Sequence, residues 1–180
     1  MRAQRVGGRF TTKYEVNSIQ RGITEDLQQE VGMEVDWWVW DPVDTGVDDI
    51  YDVGSATVGR RWKAPLRVPV IVVQVFQGQT VQNDRGFYNA DVLRITCNMA
   101  DITKVLPNLV PEPDLHYLDR VVYRDGVFRP TKIYMRGQVG GVTTLSDDGV
   151  YVILTIDLNQ VKEEELLNDE QFQQYVTSEI

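Results

Sequence analysis

The stretch DRVVYRDGVFRPTKIYMRG, residues 119–137, decides the fold class. Apolar and aromatic side chains recur at strand spacing on both sides of a short polar turn that contains Asp125-Gly126. An Asp-Gly pair between two such runs predicts a β-hairpin, because these residues supply the positive φ angles of a tight type I′ turn. The sequence therefore predicts a hairpin here and a mainly β protein.

The segment EVDWWVW, residues 34–40, predicts a strand with two covered faces. Alternate side chains of a strand point to opposite faces, so Trp37 points to one face and Trp38 and Trp40 to the other. Because large aromatic rings are costly to leave in water, one face is predicted to join the core. The other face is predicted to meet a second layer of the same chain or a neighbouring subunit.

Further segments predict the rest of the sheet. Residues 66–76, LRVPVIVVQVF, are apolar almost without interruption. Such a run is typical of a strand buried on both faces, and Pro69 places its beginning at an edge or a bulge. Residues 91–99 predict another strand. Residues 142–145 and 150–158 are predicted to pair through a second Asp-Gly turn.

The sum of six or seven strands and a few short helices predicts a small antiparallel β-barrel or sandwich. At 180 residues, of which 42% are hydrophobic, the chain has the length and composition of one ordinary globular domain. Residues 1–22 are predicted to form a flexible basic arm, and residues 23–180 the domain itself. Within that domain, residues 41–65 are predicted to be a long projecting loop, and residues 160–180 a helical tail.

The net charge of −9 is distributed in blocks. Residues 41–54 carry five aspartates and no basic residue, and residues 60–67 carry four basic residues and no acid. An acidic chain does not grip nucleic acid phosphates, whereas blocks of opposite sign suit head-to-tail contacts between identical subunits. The aspartates of the first block are predicted to line a channel or an interface loop: Asp41, Asp44, Asp48, Asp49 and Asp52. A solvated surface of mixed charge is the alternative.

A second candidate surface combines aromatic and basic side chains. We predict a subunit interface from Trp38 and Trp40 on the outward face of their strand, together with the block Arg60, Arg61 and Trp62. Basic and aromatic residues side by side also suit stacking on nucleic acid. On an acidic protein, a protein interface is the preferred interpretation.

No catalytic constellation stands out in the sequence. His116 is the only histidine and Cys97 the only cysteine, so a His/Cys zinc site cannot form within one chain. Cys97 lies in an apolar alternation and is predicted to be buried. The segment 137–141 lacks the lysine and the strand-to-helix setting of a phosphate-binding loop. We expect no enzyme activity, no cofactor and no metal, with a carboxylate-based hydrolase as the enzymatic alternative.

The sequence contains no apolar run of about 18 residues, the length that predicts a transmembrane helix. The N-terminal residues are basic but lack the apolar stretch of a signal peptide. The chain is therefore expected to be made in the cytoplasm and to have no membrane partner.

Five segments resemble the head-to-tail connector proteins, of the stopper type, found in long-tailed bacteriophages of actinobacteria. The resemblance covers about residues 34–175, and its segments are structural rather than catalytic. These segments are WDPVDTGVDDIYDVG at 40–54, GRRWKAPLRVPVIV at 59–72, DRGFYNADVLRI at 84–95, DRVVYRDGVFRPTKI at 119–133 and EEELLNDEQF at 163–172.

This resemblance implies a β-barrel subunit that assembles into a ring, twelvefold by preference and sixfold as the alternative. The ring would sit below the portal and adaptor, line the DNA channel, close the filled head and offer a docking platform to the tail terminator or tail tube. Its location would be the virion neck, where double-stranded DNA passes without sequence-specific binding. The alternatives are a neighbouring neck protein (adaptor or tail terminator) and a minor tail or baseplate β-module.

Overall fold

The hairpin predicted from residues 119–137 is the centre of the fold. A computed structural model of the chain describes residues 12–22, 33–45, 59–83, 86–139, 150–167 and 169–175.

Seven strands and a few short helices make up this part of the chain, which confirms the mainly β prediction. In chain order they are α1 (Thr12–Gly22), β1 (Glu34–Trp38), β2 (Leu66–Pro69), β3 (Val72–Asn83), β4 (Gly86–Asn98), α2 (Met99–Val105), a 3₁₀ helix (Pro113–His116), β5 (Arg120–Tyr123), β6 (Gly126–Val139), β7 (Val150–Gln160), α3 (Glu163–Leu166) and a second 3₁₀ helix (Glu170–Tyr175).

The turn of the central hairpin differs from the predicted type. Tyr123 pairs with Gly126, so Arg124 and Asp125 form a two-residue loop. Within this loop only Arg124 has a positive φ, of 54°. A type I′ turn has a positive φ at both central residues, whereas a type II′ turn has it only at the first, so the turn is of type II′. Gly126 has another role, because a Cβ atom there would lie 2.7 Å from the ring of Phe128. The glycine therefore makes room for an aromatic ring.

The seven strands form one antiparallel sheet in the order β2-β1-β5-β6-β7-β4-β3. β2 and β3 stand at opposite edges, yet only Val70 and Ile71 separate them in the chain. Six strand spacings would put the edges of a flat sheet about 29 Å apart, whereas two linking residues span about 10 Å. The sheet must therefore curl strongly.

The two edges approach each other at this link. Val70 donates a hydrogen bond to the carbonyl of Met33 (2.9 Å), and Ile71 donates one to the carbonyl of Thr96 (2.7 Å). No ladder joins β2 to β3 among the described strands, so the closed barrel predicted from the sequence is not found. A curled open sheet is compatible with the sandwich form of that prediction.

The inner face of the curl carries the main core. Leu93, Ile95 and Cys97 of β4 lie opposite Leu158, Ile156 and Leu154 of β7, and all six side chains are fully buried. Trp37 of β1 belongs to the same cluster, and α2 adds Ile102. The prediction that Cys97 is buried is confirmed, and burial raises the pKa of its thiol to about 12.

A second apolar cluster covers the outer face of β1 and β5. Trp38 and Trp40 pack there on the side opposite Trp37, against Trp62 and the C-terminal Phe172. Both faces of β1 are thus covered, as its alternating tryptophans predict. The covering layer belongs to the same chain.

Two expectations from the sequence are wrong. Residues 12–22 are not part of a flexible arm, because they form α1, which buries Val16 and packs against β6 and β7. β3 is not buried on both faces, because it is the last strand of the sheet and exposes Val75. The predicted strand 142–145 and the first residues of the arm, 1–11, lie outside the described residues.

Candidate assembly site

The two ends of the long acidic segment lie side by side in the fold. Trp40 and Trp62 form an isolated antiparallel bridge. On either side of it, Asp41 donates its N–H to the carbonyl of Arg61 (2.9 Å) and Lys63 donates to Val39 (2.8 Å). These bonds fasten residues 39–41 to residues 61–63, so the segment between them is held at both ends.

Residues 39–45 and 59–63 form the base of the segment, and Asp41 and Asp44 lie in this base. The Asp41 carboxylate accepts the N–H of Val43 (3.0 Å), and the Asp41 carbonyl accepts the hydroxyl of Thr45 (2.6 Å). That hydroxyl in turn accepts the N–H of Arg61 (3.2 Å). The structure therefore places the first aspartate in the anchor of the segment.

The remaining aspartates of the predicted loop, Asp48, Asp49 and Asp52, lie outside the described residues. Their role in a channel or an interface stays a prediction.

Phe172 is the centre of the aromatic cluster behind the base. Its ring meets Trp38 and Trp62 edge-on, with ring centroids 5.2 Å and 5.0 Å apart. The Trp62 indole donates to the carbonyl of Leu118 (3.0 Å), which leaves the tryptophan both packed and hydrogen-bonded. Edge-to-face aromatic pairs stabilise beyond the area that they bury, so this cluster joins the C-terminal segment firmly to the sheet.

Gln171 adds a second attachment. Its side-chain oxygen accepts the N–H of Trp62 (2.8 Å), and its side-chain amide donates to the carbonyl of the same residue (2.9 Å). The Gln171 side chain thus pairs with the Trp62 backbone in the way that a neighbouring strand would.

A buried ion cluster lies beside the aromatic rings. Arg120 is 0% exposed, and its guanidinium reaches Glu165 at 2.8 Å and Asp169 at 3.9 Å. Arg60 reaches the same Glu165 oxygen at 2.9 Å. The Arg120 guanidinium also lies over the Trp62 ring, 5.0 Å from its centroid.

Burial and charge act in opposite directions in this cluster. Burial lowers the pKa of Arg120 to about 10, although Glu165 and Asp169 oppose the shift. Burial alone would raise the pKa of Glu165, but Arg120 and Arg60 together outweigh burial and lower it. Burial dominates at Asp169 and raises the pKa of that carboxyl. Glu165 is therefore the main counter-ion of the buried arginine.

All five residues of the predicted interface belong to this region. Trp38, Trp40 and Trp62 pack within the aromatic cluster, Arg60 pairs with Glu165, and Arg61 pairs with Glu170 at 3.3 Å. The structure thus brings the five together and gives each a contact within the chain. Their contact with a neighbouring subunit stays a prediction.

Sequence reasoning missed the buried partners of these residues, Arg120 and Phe172. A signal was present in the charge pattern, since a basic block at 60–67 and an acidic block after residue 157 have opposite signs. The pattern did not show that they attract each other within one chain.

Asp119 connects the outer layer to the core. Its buried carboxylate accepts the indole N–H of Trp37 (2.7 Å) and the backbone N–H of Trp40 (2.8 Å). The Nδ1 atom of His116 lies 2.6 Å from the same carboxylate. The single histidine of the chain thus contacts a carboxylate that fixes the end of β1 and the start of the loop base.

Two long hairpins extend from opposite ends of the sheet. β3 and β4 stay paired as far as Asn83 and Gly86, whereas the pairing of β4 with β7 stops at Val92. Residues 79–83 and 86–90 therefore pair only with each other among the described strands. At the other end, β6 and β7 remain paired to Val139, beyond the last residue of β4.

A β-bulge marks the point where the β3–β4 ribbon leaves the sheet. The register shifts between Phe76 and Gln79, and Gly78 takes a φ of +63°. The Gly78 N–H is bonded to the Asp91 carboxylate (3.0 Å), and Asp91 donates its own N–H to Gln160 (3.3 Å). Because a bulge bends a strand and increases its twist, it sets the direction of the ribbon.

An ion pair joins β4 and β7 on the outer face of the sheet. Arg94 of β4 binds Asp157 of β7 through two bonds of 2.6 Å and 3.0 Å, and the Tyr134 hydroxyl donates a third (3.1 Å). The hydrogen bonds from Arg94 lower the pKa of Asp157, although burial opposes the shift.

This pair predicts a loss of stability in acid. Because its folded-state pKa is depressed, Asp157 contributes stability that is present above its unfolded pKa and is lost as the pH falls through the folded pKa. The free energy of unfolding, measured with urea at pH 7 and at pH 3, should differ less between the two pH values for Asp157→Asn than for the natural chain. Asp125→Asn, in the exposed hairpin loop, is the matched control. Equal pH dependence in Asp157→Asn and the natural chain would contradict this expectation.

No protein-family model matches the chain, and no curated protein matches it either. Within the described ranges, no group of three or more His, Cys, Asp or Glu side chains is arranged to hold a metal ion. No helix in the same ranges is long and apolar enough to cross a membrane.

Proposed function

We propose that the chain is a structural subunit of the neck that joins head and tail in a long-tailed bacteriophage. In this proposal it forms a stopper-type ring in the virion that lines the DNA channel, closes the filled head and provides the docking platform for the tail. The observation that carries the proposal is the base formed by Trp40 and Trp62. It holds both ends of an acidic segment on the sheet.

A held acidic segment suits a channel that passes DNA. Residues 46–58 carry Asp48, Asp49 and Asp52 and no basic residue. Carboxylates repel phosphates, so a duplex slides past such a segment without being bound. The aromatic cluster behind the base supports it from the side of the fold.

The two projecting hairpins suit a part that contacts one partner above and another below. In this proposal, one hairpin faces the portal and adaptor, and the other faces the tail terminator or tail tube. Identical subunits close the ring through contacts between two different surfaces, as cyclic symmetry requires. Twelvefold symmetry would match the portal, and sixfold symmetry the tail.

Replacing residues 46–58 with a short Gly-Ser linker tests this function, because the base at 39–45 and 59–63 stays intact. We expect an unchanged thermal unfolding transition and a loss of head–tail joining when the variant replaces the natural chain in its phage. Electron microscopy of the particles measures the joining. A second variant, with Asp48, Asp49 and Asp52 changed to Asn, separates the charge from the length of the segment. Fully tailed, infectious particles with the linker variant would contradict the proposed role.

A further inference from the structure

A patch of acidic and apolar side chains lies on the link between α2 and β5. Glu112 and Asp114 are exposed, and neither forms an ion pair with another residue that the structure describes. Leu115 and Leu118 follow them and are 58% and 43% exposed. We call these four residues the acidic patch. Large apolar side chains exposed beside charged ones are typical of a surface that binds another protein.

The fold holds the acidic patch in place. Leu115 donates its N–H to the carbonyl of Glu112 (3.2 Å), and Glu112 donates to the carbonyl of Asn108 (2.9 Å). His116, which follows Leu115, is buried and contacts the Asp119 carboxylate. Because these contacts fix the link from beneath, the exposed leucines belong to an ordered surface and are directed away from the core.

A second patch, of opposite charge, lies on the outer face of the sheet. The Arg94 guanidinium is 5.6 Å from the centroid of the Phe76 ring, and the Arg136 guanidinium is 5.7 Å from that of Tyr134. Lys132 and Arg136 are exposed, and within the described ranges neither forms an ion pair. Phe76 is 38% exposed. We call Phe76, Lys132, Tyr134 and Arg136 the basic patch.

The two patches complement each other in charge, and each adds exposed apolar surface. We propose that the acidic patch of one copy of this chain binds the basic patch of the next copy. Contacts between two different patches of identical subunits repeat head to tail, and they close into a ring when the rotation between subunits allows it. The inference rests on the self-assembly in the proposed function, and it names the surfaces that make the contact.

A nucleic acid fits the basic patch less well than a second copy does. The net charge of −9 repels phosphates. Arg94 is already paired with Asp157, so its charge is largely neutralised within the chain. Both aromatic rings of the patch already carry an arginine, whereas a site for bases offers open ring faces. A second copy also uses the acidic patch, which a nucleic acid would leave unoccupied.

Charge reversal of each patch tests the pairing in the full chain. Glu112→Lys with Asp114→Lys makes both patches positive, and Lys132→Glu with Arg136→Glu makes both negative. Each double variant should self-associate at least about tenfold more weakly than the natural chain, because like charges then face each other. An equimolar mixture of the two double variants should assemble again, and so should a chain that carries all four changes. Sedimentation at several concentrations measures the association.

Recovery in the mixture separates pairing from damage to the fold, because a misfolded variant is not rescued by its partner. Loss of association without recovery in either case would overturn the proposal, and so would normal assembly of either double variant. Lys132→Gln with Arg136→Gln is a milder variant, since Lys132 lies opposite Asp157 in the sheet. It should also weaken association, and normal assembly of this variant would overturn the proposal. A natural chain that stays monomeric on its own would overturn it too.

Arg67→Glu with Arg124→Glu is the matched control. It changes the net charge by the same amount as the basic-patch variant, at exposed positions outside both patches, and it should assemble like the natural chain. Equal weakening in the control would assign the effect to net charge and overturn the proposal. Normal assembly of the basic-patch variant with loss of binding to a labelled DNA duplex would make the basic patch a nucleic acid site. Wherever the natural chain still forms rings, the neck proposal stands, so the two failures are distinguishable.

Discussion

Arg120→Met should lower the free energy of unfolding by about 3–5 kcal/mol, the usual cost of breaking a buried ion pair by removing one partner. The guanidinium is 0% exposed and lies between Glu165, Asp169 and the Trp62 ring. Methionine fills much of the volume but supplies no charge. Asp169, only 1% exposed, would then keep Arg60 as its remaining cation.

Chemical denaturation measures this effect, and two further variants make it specific. Arg67→Met removes an exposed arginine, 78% of whose side chain is accessible, and should change stability by less than about 0.5 kcal/mol. Adding Glu165→Gln to Arg120→Met should cost less than Glu165→Gln alone, because the carboxylate has already lost its main partner. A small effect of Arg120→Met, similar to that of Arg67→Met, would show that the buried pair contributes little.

Phe172→Ala should cost about 3–5 kcal/mol, as large-to-small changes of buried aromatic residues do. The ring contacts Trp38, Trp62 and Tyr175 at once, so its removal leaves a cavity between the sheet and the C-terminal segment. We expect this segment to detach before the sheet unfolds. Limited proteolysis of residues 161–175, together with denaturation, would detect the detachment.

Leu167→Ala is the matched control for Phe172→Ala. It lies in the same segment but is 58% exposed, so it should change stability by less than about 0.5 kcal/mol. Equal effects of the two substitutions would mean that the aromatic cluster does not hold the segment. The base of the acidic loop would then need another support.

The sequence predicts local structure well where one pattern has one physical meaning. The Asp-Gly hairpin lies where it is expected, and the alternating tryptophans of β1 face two layers. The exact turn type escapes prediction, because the positive φ falls on Arg124 and Gly126 instead makes room for Phe128. The choice depends on a packing contact that no local pattern contains.

Long-range geometry limits what the sequence predicts about the rest of the fold. The continuous apolar run at 66–76 predicts a buried strand, but the chain crosses from one sheet edge to the other at Val70 and Ile71. The two halves of the run therefore meet different neighbours, and β3 becomes an exposed edge. Whether a curled sheet closes into a barrel also depends on contacts between its two edges, and neither half of the apolar run specifies these contacts alone.

The candidate site shows the same limit. The acidic block at 41–54 is evident from composition, whereas its anchoring at Trp40 and Trp62 requires a bridge between distant residues. The basic block at 60–67 suggests a free interface surface. In the fold, Arg60 and Arg61 instead pair with Glu165 and Glu170 of the same chain. Charge blocks predict attraction, but the fold decides whether the partner lies within the chain.

Negative-stain electron microscopy with native mass measurement tests ring assembly most directly. The protein would be imaged alone at high concentration, and then mixed with a portal–adaptor complex. We expect a closed ring with a channel wide enough to pass duplex DNA, and its symmetry would distinguish a portal-matched from a tail-matched ring. A chain that remains monomeric under both conditions would contradict the neck assignment.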